Sequence, residues 1–219
     1  LKSTDSTNDI AWSHAAKTDS HGLSVIAEHQ RVGRGRRGRT WQSLPGQSIL
    51  CSILVADACP SLLSLAAPLA VVDAVFECCR LHTLIKWPND ILLDNKKLAG
   101  ILIESRTLSG RVISVVGIGL NVCQTQSFFA GLALEAPATS LAIQLGRKPS
   151  RNKLLRSLFA HFESWIDIAS QNPDKLINAW KRHNRQIGSR IELESDGKHY
   201  SGTCVGIAPA EGLIVHLDH

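Results

Sequence analysis

Residues 31–41 read Arg-Val-Gly-Arg-Gly-Arg-Arg-Gly-Arg-Thr-Trp. Five guanidinium groups within nine residues repel one another, and the glycines among them carry neither helix propensity nor strand side chains. The segment must be a loop, and its flanks must be rigid enough to hold it. Leu23 to Gln30 and Ser48 to Ala56 are the strand-like apolar runs expected to do so. A polar loop as long as Arg31 to Gln47 inside one domain is usually functional. Its glycines match GxGxxG formally, but a dinucleotide fingerprint opens a helix directly. Here Thr40-Trp41-Gln42-Ser43-Leu44-Pro45-Gly46 follows, which cannot be a long helix. The run instead offers backbone N–H groups that can crowd an anion, and forked guanidinium donors. Empty, it repels itself and is expected to be mobile until an anion arrives.

The same five arginines account for the formal net charge of +5, and the rest of the chain is neutral. One local cluster suits a small polyanionic ligand better than a nucleic-acid backbone. With 219 residues, 44% hydrophobic and 20% charged, the chain can bury a core, which excludes disorder and bounds it to one large domain, or one domain plus a small appendage. No apolar run is read as approaching the roughly 20 residues that span a bilayer, so no membrane association is expected. The start, Leu1-Lys2-Ser3-Thr4-Asp5, has no apolar signal core, and the sequence has no methionine, so a trimmed N-terminus is expected. Cys51, Cys59, Cys78, Cys79, Cys123 and Cys204 form no CxxC pair. They read as reduced thiols, mostly buried, in a cytoplasmic protein.

Ser6 fits a helix N-cap, with Asp9 three residues on. Leu62, Leu65, Leu69, Val72 and Phe76 trace one helix face, with Pro68 inside it. Leu84 to Trp87 reads as a strand, and Ile91–Leu93 and Leu98–Glu104 as a hairpin around Asp94-Asn95-Lys96-Lys97. Arg111 to Val122 is a strand whose Gly117 and Gly119 imply close approach to the backbone. Two helices follow, one with Leu155, Leu158, Phe159, Phe162 and Trp165 as its apolar face, the other capped by Asn172-Pro173-Asp174. From Ser189 the pattern is short strands: Ile191/Leu193, a turn at Asp196-Gly197, Thr203/Val205/Ile207, then Leu213/Val215/Leu217. The division expected is 1–184 and 185–219, the second unit a small barrel that ends at His219 and looks incomplete.

Four further features carry chemistry. Lys86-Trp87-Pro88-Asn89-Asp90 sits at a strand end, where Asn89 and Asp90 present oxygens and Asp90 could hold Mg²⁺ through water. Lys97, before Leu98-Ala99-Gly100, could reach a carboxylate or α-phosphate, or be an exposed hairpin lysine. Asn121 in an apolar strand needs a partner, either a ligand or backbone. Ser6-Thr7-Asn8 is a cap or a polar cluster for a ligand.

In this order the motifs Ser6-Thr7-Asn8, Glu28 to Trp41, Lys86 to Asp90, Lys97 to Gly100, Gly117 to Asn121 and Ala138 to Leu141 resemble the biotin protein ligases. The resemblance implies an α+β fold: a mixed β-sheet flanked by helices, related to class II aminoacyl-tRNA synthetase cores, with a small C-terminal SH3-like β-barrel. It implies an ATP-dependent ligase that forms biotinyl-5′-AMP from biotin and ATP with Mg²⁺, then transfers biotin to a lysine of a biotin carboxyl carrier domain. By the same resemblance, Ser6, Thr7, Asn8, Gln30, Gly33, Arg34, Gly35, Arg36, Lys97, Gly100 and Gly119 would serve biotin. Arg34, Arg36, Arg37, Trp41, Lys86, Asn89 and Asn121 would serve ATP, Asp90 the metal, and Lys97 and Arg36 the catalytic step. No DNA-binding helix-turn-helix precedes Ser6, so no DNA partner is expected, while a homodimer through sheet edges stays open. Lipoate ligases share the fold but carry a different glycine motif. An RNA-binding reading fails on aromatics, since Trp41 alone stands among the basic residues.

Overall fold

The computed structural model describes residues 1–16, 20–195 and 197–218. Its centre is β4 (Ser48–Ala56), buried along nearly its whole length, as a sequence of apolar residues and two small serines allows. On one side it pairs with β1 (Ser24–Ala27), on the other with β8 (Arg111–Asn121), in register from Ser48↔Asn121 to Ala56↔Ile113. Beyond β8 lie β7 (Lys96–Leu108), β6 (Asp90–Leu93) and β5 (Leu84–Lys86), giving the order β1-β4-β8-β7-β6-β5. Every pairing between these strands is antiparallel. Among the described residues, parallel pairing enters this mixed sheet through single bridges, Ile85↔Asn184 on β5 and Lys97↔Ala138 on β7.

Strand alternation gives the sheet two unlike faces. Ile49, Cys51, Ile53 and Val55 of β4, Val116, Ile118 and Leu120 of β8, and Ala99, Ile101 and Ile103 of β7 point to one side. There they meet α2 (Pro60–Cys79), which α5 (Arg151–Gln171) and α6 (Pro173–His183) cover in turn. On the opposite face α1 (Thr7–His14) covers one end, with Ala11 and Ala15 over Val25, Leu54, Ile113 and Val115. Asn8 of α1 covers Gly117 on that face, and beyond it Gly100 and Gly119 lie under the Trp41 ring.

The sequence reading of α2 needs one correction. At 20 residues it is long and apolar enough to cross a membrane by length and composition. Its hydrophobicity has another cause here, since it lies between sheet and α5 and is buried along most of its length. The short α3 (Gln126–Ala130) and α4 (Leu141–Leu145) were not anticipated. Asn172 caps α6 as expected, its Oδ1 accepting from Lys175 N at 3.0 Å.

The last strands, β9 (Arg190–Ser195), β10 (Lys198–Ala208) and β11 (Gly212–Leu217), form a three-stranded antiparallel sheet, as expected of an SH3-like unit. Asp196 of the expected turn and His219 lie outside the described residues. The expected single face Thr203/Val205/Ile207 does not form. The register slips between Cys204 and Gly206, so Cys204 and Ile207 are buried while Val205 is 56% exposed. Gly212 of β11 comes against Trp87, whose Nε1 would stand 3.7 Å from a Cβ there; Gln186 Oε1, ahead of β9, accepts from Trp87 N at 2.6 Å, and Trp87 meets buried Trp180 of α6 edge-on, centroids 5.9 Å apart.

Candidate active site

The glycine-bearing face of the sheet is the floor of a cavity of about 670 Å³. Glycine makes that floor possible. A Cβ on Gly119 would stand 2.6 Å from Trp41 Cε2, one on Gly100 3.0 Å from Trp41 Cζ3, and one on Gly117 would collide with Asn8 Oδ1. Trp41 therefore lies on bare backbone, as the two glycines in β8 suggested.

The arginine segment is a small hairpin and not an open loop. Gly33–Arg34 (β2) pairs with Thr40–Trp41 (β3), and a 3-10 turn at Arg36–Gly38 joins them, with Gly35 N donating to Arg39 O at 2.7 Å. The expected self-repulsion is largely cancelled by neighbours. Arg31 pairs with Asp5 at 2.7 Å, Arg34 with Asp9 and Glu104 at 2.8 Å each, and Arg39 with Glu135 at 2.6 Å. Among the described residues, Arg36 and Lys86 are the cavity-lining cations without an ion pair. Arg37 stands at the turn tip with φ 55°, exposed and off the cavity wall. Gly33 is likewise not on the wall; it is buried against Gln30 and the Trp41 backbone.

One end of the cavity is polar and nearly neutral. Ser6 stands at the N-cap position of α1, but its hydroxyl makes no capping bond, and it is buried on the cavity wall. Thr7 N and Oγ1 both donate to Gln30 Oε1, at 2.7 and 2.9 Å. Ser52 of β4 donates to Asn8 Oδ1 at 2.6 Å and stands 2.7 Å from Thr7 Oγ1. Asn8 Nδ2 donates to Glu104 Oε2 at 2.8 Å. Both ends of the Asn8 amide are thus engaged within the protein.

At the other end Lys97 Nζ lies 2.6 Å from Asp90 Oδ1 and 5.7 Å from the Trp41 ring centroid. Contrary to the hairpin-turn reading, Lys96 and Lys97 are in β7. Asp94 and Asn95 make the turn, both at positive φ. Asn89 is braced against β7, its Nδ2 donating to Ile101 O at 3.1 Å while its own carbonyl accepts from Ile101 N. Asn121 Oδ1 accepts from Gln124 Nε2 at 2.9 Å, and Gln124 also holds Ser48. Among the described residues Trp41 Nε1 is buried without a hydrogen-bond partner, a donor that a ligand's acceptor would satisfy. Cys51 borders the cavity too, but its side chain lies on the α2 face of the sheet, where burial pushes the thiol up to about 12.

Of the residues singled out in the sequence, Ser6, Thr7, Asn8, Gln30, Arg34, Gly35, Arg36, Trp41, Lys86, Asn89, Asp90, Lys97, Gly100, Gly119 and Asn121 all line this one cavity. The segment Phe128 to Ala138 was missed as a wall. It is tied down where Lys97 N donates to Pro137 O and Thr139 N to Lys97 O. Ser52 and Glu104 were missed as well. Their partners lie on α1 and the arginine hairpin, 44 to 96 residues away in sequence, so no local pattern marks them.

Residues 1–122 match the Biotin/lipoate A/B protein ligase family. The chain is 38% identical over 208 residues to a biotin--[acetyl-CoA-carboxylase] ligase of Mycobacterium tuberculosis, spanning 89% of this chain and 73% of that protein. It is 34% identical over 218 residues to the bifunctional ligase/repressor BirA of Bacillus subtilis, spanning 96% of this chain and 66% of that protein's length. A biotin protein ligase from Aquifex aeolicus, solved in complex with biotin and ATP, superposes with a TM-score of 0.78 at 25% identity, covering 100% of this chain and 94% of that one. With this fold, this glycine-floored cavity and these relatives, the chain belongs to the biotin/lipoate A/B protein ligase family.

Proposed function

We propose that the protein is a biotin–[biotin carboxyl-carrier protein] ligase, which forms biotinyl-5′-AMP from biotin and ATP and transfers biotin to a lysine of a carrier domain. The observation that carries this reading is the polarity of one cavity: the uncharged cluster of Ser6, Thr7 and Gln30 at one end, Lys86 and Lys97 beside Asp90 at the other, and Arg36 on the same wall. Biotin has that polarity, a neutral ureido head and a carboxylate tail.

In this reading Ser6, Thr7 and Gln30 hold the head group. A carboxylate oxygen of biotin attacks the α-phosphorus; the new O–P bond forms as the bond to the β-phosphate oxygen breaks, and pyrophosphate leaves. Two anionic groups must meet, so Arg36 and Lys97 supply fixed positive charge where negative charge builds up. Among the described residues no three His, Cys, Asp or Glu side chains cluster to hold a metal. The two carboxylates on the wall, Asp90 and Glu135, are each ion-paired. Mg²⁺ therefore enters with the triphosphate as part of the substrate, with Asp90 able to reach it through water. The apolar Phe128–Leu132 wall and Trp41 border the nucleotide, and the hairpin keeps water from the mixed anhydride. The carrier's lysine nitrogen then attacks the acyl carbon, AMP leaves with the bridging oxygen, and the amine loses its proton. A cytoplasmic setting fits six free cysteines, four of them buried.

The test is pyrophosphate release with ATP and Mg²⁺, biotin and lipoate being supplied separately, followed by mass spectrometry of an added biotin carrier domain. Release with biotin alone, and a carrier heavier by one biotin, is the expected result. Release with lipoate alone would overturn the substrate, and no release with either would overturn the activity.

A further inference from the structure

We infer that Glu104 is a positioning and specificity residue of this cavity, one that makes its head-group end select an uncharged hydrogen-bonding ligand. The inference rests on the biotin reading above. Glu104 lies on β7 in phase with Gly100 and Leu102, on the glycine-bearing face of the sheet, and its carboxylate gathers three donors on one oxygen. Asn8 Nδ2 donates to Oε2 at 2.8 Å, Arg34 Nη2 at 2.8 Å and Trp12 Nε1 at 3.3 Å. Asn8 and Trp12 are one helical turn apart, so the same face of α1 is pinned at two points. Arg34 also meets Asp9 Oδ1 at 2.8 Å.

Two consequences follow from charge and geometry. First, a carboxylate only accepts, so it fixes the Asn8 amide with Nδ2 toward β7 and Oδ1 toward Ser52. In that orientation Asn8 Oδ1 accepts from Ser52 at 2.6 Å, beside Thr7 and Gln30 at the head-group end. Second, Arg34 is compensated by two carboxylates. It remains a source of N–H donors on the wall but not a free cation, whereas Arg36 has no such partner among the described residues. Short charge-assisted contacts also hold the hairpin strand β2 against β7. Glu104 itself is not among the residues lining the cavity, so it acts through Arg34 and Asn8.

The experiment is calorimetric binding of biotin, and separately of ATP, to the full chain. If the wild-type protein does not bind biotin, the ligase reading fails and not this inference. Given wild-type binding, Glu104→Gln is expected to weaken biotin about ten-fold and leave ATP within two-fold. Glu104→Asp keeps the charge and is expected to lose less than the Gln variant. Because Glu104 works through Arg34, the double variant Glu104→Gln/Arg34→Gln should bind no more weakly than the weaker single variant. Trp12→Phe removes the longest of the three contacts and should bind biotin within two-fold of wild type. The inference is overturned by unchanged biotin affinity in a folded Gln variant, by an equal loss for ATP, by an Asp variant as weak as the Gln variant, by multiplicative single effects, or by a Trp12→Phe loss matching Glu104→Gln. Should Glu104→Gln not fold, the Asp variant and Trp12→Phe decide the matter by the same criteria.

Discussion

Gly119 shows how one absent carbon can place a ligand. The Trp41 ring occupies the space a Cβ would take, and Lys97 sits over that ring. Gly119→Ala would push the indole off the sheet, and the ring cannot yield cheaply, because Trp41 is held in β3 by its pairing with Gly33. Trp41 is only half-buried, so the loss should fall on the site more than on the fold. The expected outcome is at least a ten-fold drop in ATP-dependent pyrophosphate release, with the melting temperature lowered by only a few degrees, about 1 kcal/mol. Full activity in Gly119→Ala would show that the contact between Trp41 and the floor does not matter to catalysis.

At the scale of elements, the arginine hairpin is held at its base by a helix over a hundred residues away in sequence. Arg151, the first residue of α5, donates to Gly46 O at 2.7 Å, Ser48 O at 3.1 Å and Glu28 Oε2 at 2.6 Å, so one guanidinium closes both ends of the segment. Arg151→Ala should lower stability by about 2 kcal/mol, since it strips charged hydrogen bonds from two carbonyls. Arg151→Lys should recover little, because an ammonium cannot fork to three acceptors. Urea midpoints of the three proteins check this, and a fully restored Lys variant would mean that charge alone matters. The clamp also shows where reading a sequence stops. β4 was legible because a run of nine apolar or small residues, short for a helix and bounded by the turn residues Pro45-Gly46 and Asp57, fits a buried strand, and α6 because Asn172-Pro173 is a local cap. The β2–β3 pairing was not legible, because two residue pairs have no stability of their own and rely on Trp41 lying on Gly119. Glu104 escaped for a similar reason: its partners Asn8, Trp12 and Arg34 are 96, 92 and 70 residues away. The Val205 bulge escaped because alternation says nothing of where a register slips.

Across the whole molecule, one sheet keeps two tasks apart: its α2 face carries the core and its glycine face the cavity. The groups that tie stability to pH lie mostly on the helical side and the rim. On α6, burial holds the His183 imidazole below its ordinary value; Asp73 opposes this, while Arg182 and His82 add to it. A base depressed in the folded state contributes stability in full above its unfolded value, about 6.5, and loses it as pH falls below that. Asp57 is held low by its hydrogen bonds to Arg111, and Glu77 by those from Ser157 and His161. Their contribution is complete above the ordinary carboxylate range, about 4, and is lost below it. Cys51 works in the opposite direction, because a thiol raised to about 12 by burial favours the fold until pH rises past the ordinary thiol value, about 8.5. Melting temperature should therefore be flat between about pH 7 and 8.5 and fall in two steps on the acid side. His183→Gln should remove the first acid step, the one that begins as pH falls below about 6.5, and leave the second in place. Scanning calorimetry of both proteins from acid to alkaline pH measures this, and an acid shoulder that survives in His183→Gln would assign it to another group. The second step, below about 4, should persist in every variant of the cavity, because Asp57 and Glu77 are not among the residues that line it.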